Sequence, residues 1–88
     1  MSESLSFMPK AWEEYLYWQT QDRKTLKRIN KLIEDIVRHP FAGIGKPEPL
    51  TGSLQGYWSR RIDEANRIVY KAESGRLIIV QCGEHYRR

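Results

Sequence analysis

Leu77-Ile78-Ile79-Val80-Gln81-Cys82 is nearly continuous in apolar character, and a run of that kind implies a central strand covered on at least one face. The remainder of the chain must supply this strand with neighbours and a cover. Its neighbours precede it. Trp58, Arg60 and Ile62 alternate with Tyr57, Ser59 and Arg61, a turn is expected at Asp63-Glu64-Ala65-Asn66, and a strand follows from about Arg67 to Ala72. Glu73-Ser74-Gly75-Arg76 is the hairpin turn into the apolar run. Cys82 at the end of that run is read as buried packing rather than as a nucleophile.

The cover comes from the amino-terminal half. Leu5-Ser6-Phe7-Met8 reads as a short first strand, and Pro9 sits at the first turn of a helix that runs to about Gln19. Ala11, Trp12, Tyr15, Leu16 and Gln19 recur at three-and-four spacing, while Glu13-Glu14 suit the positive end of the helix dipole. Tyr17 and Trp18 lie off that stripe, where they cover an edge or meet a partner. After a break at Thr20-Gln21-Asp22, with Asp22 as the cap, a second helix extends to about Arg38. Its apolar stripe is Leu26, Ile29, Ile33 and Ile36, widened by Leu32 and Val37. Arg23, Lys24, Lys27, Arg28 and Lys31 make the other face strongly basic, equally suited to solvent or to an RNA backbone. The expected fold is α+β: a small antiparallel β-sheet packed against two consecutive N-terminal helices, one domain over residues 1–88, with 1–4 frayed.

Charge narrows the partners. Fifteen Lys and Arg against 11 Asp and Glu give a formal charge of +4 and a pI near 9.4, which favours nucleic acid, an acidic protein segment or the ribosome surface. One cysteine excludes an internal disulfide, and a cytoplasmic location is the default. Neither an export signal nor a membrane span is expected, since no basic region precedes an apolar run and no long apolar stretch occurs. Gly43 and Gly45 precede Lys46, but no Lys-Ser/Thr ending follows and the preceding element is a helix, which rules out a nucleotide-binding loop. Neither histidine has zinc-motif spacing, and Glu13-Glu14 and Asp63-Glu64 are read as solvated surface rather than metal-binding pairs. No metal or cofactor is expected.

Metal-free RNA cleavage asks for less: a group to take the 2′-hydroxyl proton, a group to protonate the departing 5′ oxygen, and cationic donors around the phosphorane. Glu48, His85 and some of Arg61, Arg67, Arg60 and Lys46 can fill these roles, with Tyr86 stacking a base or orienting the imidazole. Aromatic and basic RNA binding without cleavage stands close behind, and a subunit whose charge serves only a protein partner is a third reading.

Several long motifs then narrow the field. Ala11-Trp12-Glu13-Glu14-Tyr15-Leu16-Tyr17-Trp18, residues 40–50 from Pro40 to Leu50, Leu54-Gln55-Gly56-Tyr57-Trp58-Ser59-Arg60-Arg61-Ile62, Asn66-Arg67-Ile68-Val69-Tyr70 and His85-Tyr86 stand in the order and spacing of one family. Over nearly all of Phe7 to Tyr86 the chain resembles the Txe/YoeB toxins of bacterial type II toxin–antitoxin modules, within the RelE-like messenger-RNA interferases. The resemblance implies a RelE-like microbial-ribonuclease-type fold and a ribosome-dependent endoribonuclease. Such an enzyme cuts messenger RNA in the aminoacyl-tRNA site, leaving a 2′,3′-cyclic phosphate and a 5′-hydroxyl. It further implies Glu48 as general base, His85 as general acid, Arg67 as phosphate and transition-state stabiliser, and Arg61 as a second phosphate contact. Tyr86 corresponds to the terminal supporting aromatic, and Lys46, Trp12 and Tyr57 are weaker candidates; beside the resemblance, Tyr86, Lys46 and Arg60 are read as RNA-binding or supporting residues. A cognate YefM/Phd-like antitoxin is implied, docking on the basic helix and on the arginines of 60–67 and carrying the promoter-DNA contact, and homodimers occur in the family.

Two departures stand out. Thr51 and Gly83-Glu84 occupy positions where family members carry basic residues, and Arg87-Arg88 follow the tyrosine at which many relatives end. Glu84 beside His85 is expected to raise the imidazole pKa and repel phosphate, with the two added arginines returning charge.

Overall fold

The computed structural model describes residues 4–84. In chain order the elements are β1 (Ser4–Phe7), α1 (Pro9–Gln21), α2 (Arg23–Arg38), β2 (Glu48–Pro49), a short 3-10 turn (Gly52–Leu54), β3 (Trp58–Arg61), β4 (Asn66–Glu73) and β5 (Arg76–Glu84). They build one five-stranded sheet in the order β1-β5-β4-β3-β2, so the apolar run does lie inside the sheet. The pairs β4/β5 and β3/β4 are antiparallel, as expected, and a short β2, not expected from the sequence, adds a further antiparallel pair with β3. β1 joins β5 in parallel: after both helices the chain enters the sheet at the far edge as β2 and works back through β3 and β4, so that β5 runs beside β1 in the same direction. The register shifts where Val69 faces Gln81 but Tyr70 faces Ile79, which leaves Val80 as an extra residue that bends β5.

Both helices pack on one face of this sheet. On α2, Ile29, Leu32, Ile33 and Ile36 are buried against Ile62, Ile68, Tyr70, Leu77, Ile79 and Cys82, and each such aliphatic side chain contributes about 1.5–3 kcal/mol. Val37 is 38% exposed and stands outside the stripe. Asp22 caps α2 as expected: its carboxylate accepts from Thr25 N at 3.2 Å and from Thr25 Oγ1 at 2.8 Å. Those bonds hold its pKa below the ordinary value. On α1 the inward stripe is rotated from the expected one. Ala11 is fully buried and Tyr15 and Trp18 pack on the core, while Trp12 and Leu16 are 46% and 42% exposed.

Arg60, a candidate RNA-binding or supporting residue, lies in the core. Its side chain is fully buried on the helix-covered face, and all five guanidinium protons are taken: Nε by Tyr70 Oη, Nη1 by Asp35 Oδ2 and the Ile44 carbonyl, Nη2 by the carbonyls of His39 and Ala42. Arg60 supports the fold, and its guanidinium has no donor left over for a phosphate. The connector 39–45 wraps around it, and Gly43, at φ +130°, lies where a Cβ would stand 2.0 Å from Asp35 Oδ2. Tyr70 completes the network by donating to the Pro40 carbonyl at 2.7 Å, and burial pushes its phenol pKa up.

Replacing Arg60 with methionine strands three carbonyls and a carboxylate, and is expected to cost about 3–5 kcal/mol in urea unfolding. The Asp35 carboxyl is held below its usual 3.8, chiefly by the Arg60 hydrogen bond. Its contribution is therefore present above that value and is lost as pH falls through the lower folded-state value. Acid titration of stability should show a fall below about pH 4 in the wild type that flattens in Asp35→Asn.

Candidate active site

With the helices on one face, strand alternation sends every second side chain of β3 and β4 to the other. Arg60 and Ile68 point to the core, and Ser59, Arg61, Arg67 and Val69 point to the open face, where Ser59 faces Val69 and Arg61 faces Arg67. β2 joins the edge of this face, with Glu48 opposite Ser59. Glu48, expected in a loop, is therefore fixed by strand pairing.

The open face brings three of the expected residues together. Glu48 Oε1 lies 3.8 Å from Arg67 Nη1, and the same Nη1 donates to Ser59 Oγ at 3.4 Å. Ser59 is 1% exposed and forms the floor between them. Arg61 stands directly across the ladder from Arg67, and like charges in that position destabilise a sheet unless an anion lies between them. Exposed Glu48, with a side chain 63% accessible, is the carboxylate that partly offsets this charge.

Backbone bonds hold the site to the scaffold. Arg61 N donates to the Gly45 carbonyl at 2.7 Å, and Arg28 Nη2 donates to the Arg61 carbonyl at 3.3 Å. Lys46 follows Gly45 in a left-handed conformation with φ +52° and is exposed, two residues before Glu48. Such a conformation is costly for a lysine and is sustained here by the anchored connector on one side and Pro47 on the other. Lys71 extends the basic surface, its ammonium 5.3 Å from the Tyr57 ring centre.

His85 and Tyr86 lie outside the described residues. The strand that leads to them is placed: Gly83 faces Arg67 and Glu84 faces Asn66 across β4. Sequence reading missed Ser59, and its only signal there was a small polar residue on the same strand face as Arg61. It also read Glu14 as solvated surface, whereas the Glu14 carboxylate accepts from Cys82 N at 2.7 Å and Trp18 Nε1 donates to the Cys82 carbonyl at 2.9 Å. A cleft of about 570 Å³ opens beside these groups, between α1 and the β3–β4 turn. Among the described residues, no three His, Cys, Asp or Glu side chains are grouped as a metal ion would require.

Residues 7–86 match the model of the YoeB-like toxin of bacterial type II toxin-antitoxin system. The chain is 56% identical over 82 residues to Toxin YoeB of Streptomyces coelicolor, covering 93% of this chain and 98% of that protein. Among solved structures, a YoeB/ParE toxin from Agrobacterium tumefaciens superposes with a TM-score of 0.90 at 47% identity, over 94% of this chain and 99% of its own. A Staphylococcus aureus YoeB chain, solved in a heterotetrameric YoeB-YefM complex and as a dimer, gives a TM-score of 0.88 at 41% identity over 98% of this chain and all of its own. The fold is thus that of a toxin from a bacterial type II toxin–antitoxin system. Within that class the chain belongs to the YoeB-like family. Membership supports a ribosome-associated, messenger-RNA-cleaving toxin activity in general terms.

If the Arg61/Arg67 pair is an anion site, inorganic phosphate should raise the melting temperature of the wild type more than that of Arg61→Ala. At low salt without phosphate, Arg61→Ala should be the more stable protein by about 0.2–1 kcal/mol. Thermal melts across a phosphate series measure both.

Proposed function

We propose that the chain is a ribosome-dependent endoribonuclease that cuts messenger RNA in the aminoacyl-tRNA site without a metal ion. The observation that carries this reading is the open-face cluster of Glu48, Arg67 and Arg61, one carboxylate 3.8 Å from a guanidinium that faces a second across the strand ladder. In this mechanism Glu48 takes the proton of the 2′-hydroxyl, and the freed oxygen attacks the adjacent phosphorus. The phosphorus–O5′ bond breaks as His85 protonates the leaving oxygen, giving a 2′,3′-cyclic phosphate and a 5′-hydroxyl.

Arg67 and Arg61 meet the charge that develops on the phosphorane with directed donors already in position, which lowers the barrier without reorganisation. Ser59 keeps Arg67 aimed. Lys46 lengthens the cationic track along the RNA backbone, and Tyr86 supports the imidazole or stacks on a base. The basic outer face of α2 and the arginines of the open face serve in turn as the docking surface of a YefM/Phd-like antitoxin, which covers the site and carries promoter DNA binding. Self-association follows the pattern of the Staphylococcus aureus relative, solved as a dimer.

Primer extension on messenger RNA in a purified translation system tests the reading. Wild-type protein should give a new cut only with translating ribosomes. Glu48→Ala and His85→Ala should each lower cutting about 100-fold or more while ribosome co-sedimentation persists. Inhibition and binding that survive both substitutions with no cut at any stage would replace this mechanism with a non-cleaving translation inhibitor.

A further inference from the structure

β5 loses one of its two strand neighbours partway along its length, β4 staying paired to Glu84. β1 pairs with it only as far as Phe7 opposite Ile79, and Met8 N donates to the Ile79 carbonyl at 2.9 Å. The extra residue Val80 follows at once, so the last part of the strand begins at an irregularity with no β1 beside it. Both backbone groups of Cys82 are instead taken by side chains of α1. Glu14 Oε1 accepts its N–H at 2.7 Å, and its carbonyl accepts from Trp18 Nε1 at 2.9 Å.

Glu14 and Trp18 are one helical turn apart, so a single face of α1 delivers both. The Glu14 bond is charge-assisted and hence among the stronger kinds available to a backbone amide. Contact continues at Gly83, where a Cβ would lie 3.6 Å from Trp18 Nε1 and 3.7 Å from Glu14 Cδ. Gly83 in turn faces Arg67. The clip therefore acts on the strand at the point where it passes the proposed phosphate-binding arginine, and His85 follows three residues after Cys82 in the sequence.

We propose that Glu14, assisted by Trp18, is a positioning residue for RNA cleavage: by holding Cys82 it fixes Gly83 against Arg67, at the strand end that precedes His85 in the sequence. This rests on the assignment of His85 as general acid. A carboxylate fits the task because it replaces a missing strand partner without presenting a new strand edge to solvent. Glu14 touches no substrate in this account. Its effect is on placement, and a displacement of about 1 Å at a reacting group costs about 100-fold in rate.

The test compares Glu14→Ala, Glu14→Gln and Trp18→Phe in the ribosome-programmed cutting assay, alongside amide hydrogen exchange on the same proteins. Glu14→Ala should cut about 10- to 100-fold more slowly at saturating ribosomes, with the half-saturating ribosome concentration unchanged. Its Cys82 amide should exchange faster, while Ile68 and Ile33 keep their protection. Glu14→Gln, whose amide oxygen accepts the same N–H, should stay near wild type in both measurements. Wild-type cutting by Glu14→Ala overturns the proposal, and so does a Gln variant as slow as the Ala variant or a loss that only tracks the unfolded fraction. Should Glu14→Ala fail to fold, Trp18→Phe, which removes the indole donor and keeps an aromatic ring, carries the same comparison. Wild-type protein that does not cut at all overturns the ribonuclease reading instead, and Cys82 exchange then still decides whether the clip holds the strand end.

Discussion

One guanidinium organises this molecule. Arg60 carries a charge into the interface between α2, the connector and the sheet, where an unpaired ion would be prohibitively costly. The cost is met because Asp35, Tyr70 and the carbonyls of His39, Ala42 and Ile44 satisfy every donor. A lysine has three donors on a point charge and lacks this planar fork. The arrangement also gives an irregular segment a defined shape, since carbonyls that have no helix or strand partner are gathered on one group. Glu48 and Lys46 follow directly from that segment, so the placement of the proposed base begins with a residue buried on the opposite face of the sheet.

Adjacent arginines thus have opposite fates. Arg60 and Arg61 differ by one step along β3, and the two-residue period of a strand sends one into the core and the other to the open face. Cationic groups can accumulate on that outer face because the helices leave it uncovered and water screens the repulsion until a polyanion arrives. The proposed function gives the facing pair Arg61 and Arg67 its use: in that reading a phosphate between them relieves the repulsion of like charges across the ladder.

Much of this was legible in the chain. The α2 stripe, the Asp22 cap, the β3–β4–β5 hairpins and the burial of Cys82 follow from local patterns that tertiary packing leaves intact. The parallel β1 was not readable, since strand direction across a long crossover leaves no local mark. Arg60 was misread for a related reason: a buried arginine and a surface arginine look alike until the carbonyls that surround it are located, and those come from residues 39–44, distant in sequence. The α1 stripe was drawn through Trp12 and Leu16 because hydrophobicity was taken as burial, whereas the helix turns Ala11, Glu14 and Trp18 inward to serve a strand edge. Glu48, Arg61 and Arg67 came from a likeness of motifs, and their distances from the fold. His85 and Tyr86 lie outside the described residues.

The burial of Cys82 carries a consequence of its own. Its thiol is fully enclosed, and desolvation, with the Glu14 charge nearby, pushes its pKa up to about 12. In the native fold the sulfur is therefore a poor nucleophile, shielded from oxidants and alkylating reagents alike. Because the thiol sits in the core between sheet and helices, a reagent reaches it only through an opening of that packing, and labelling of the single cysteine would report such openings.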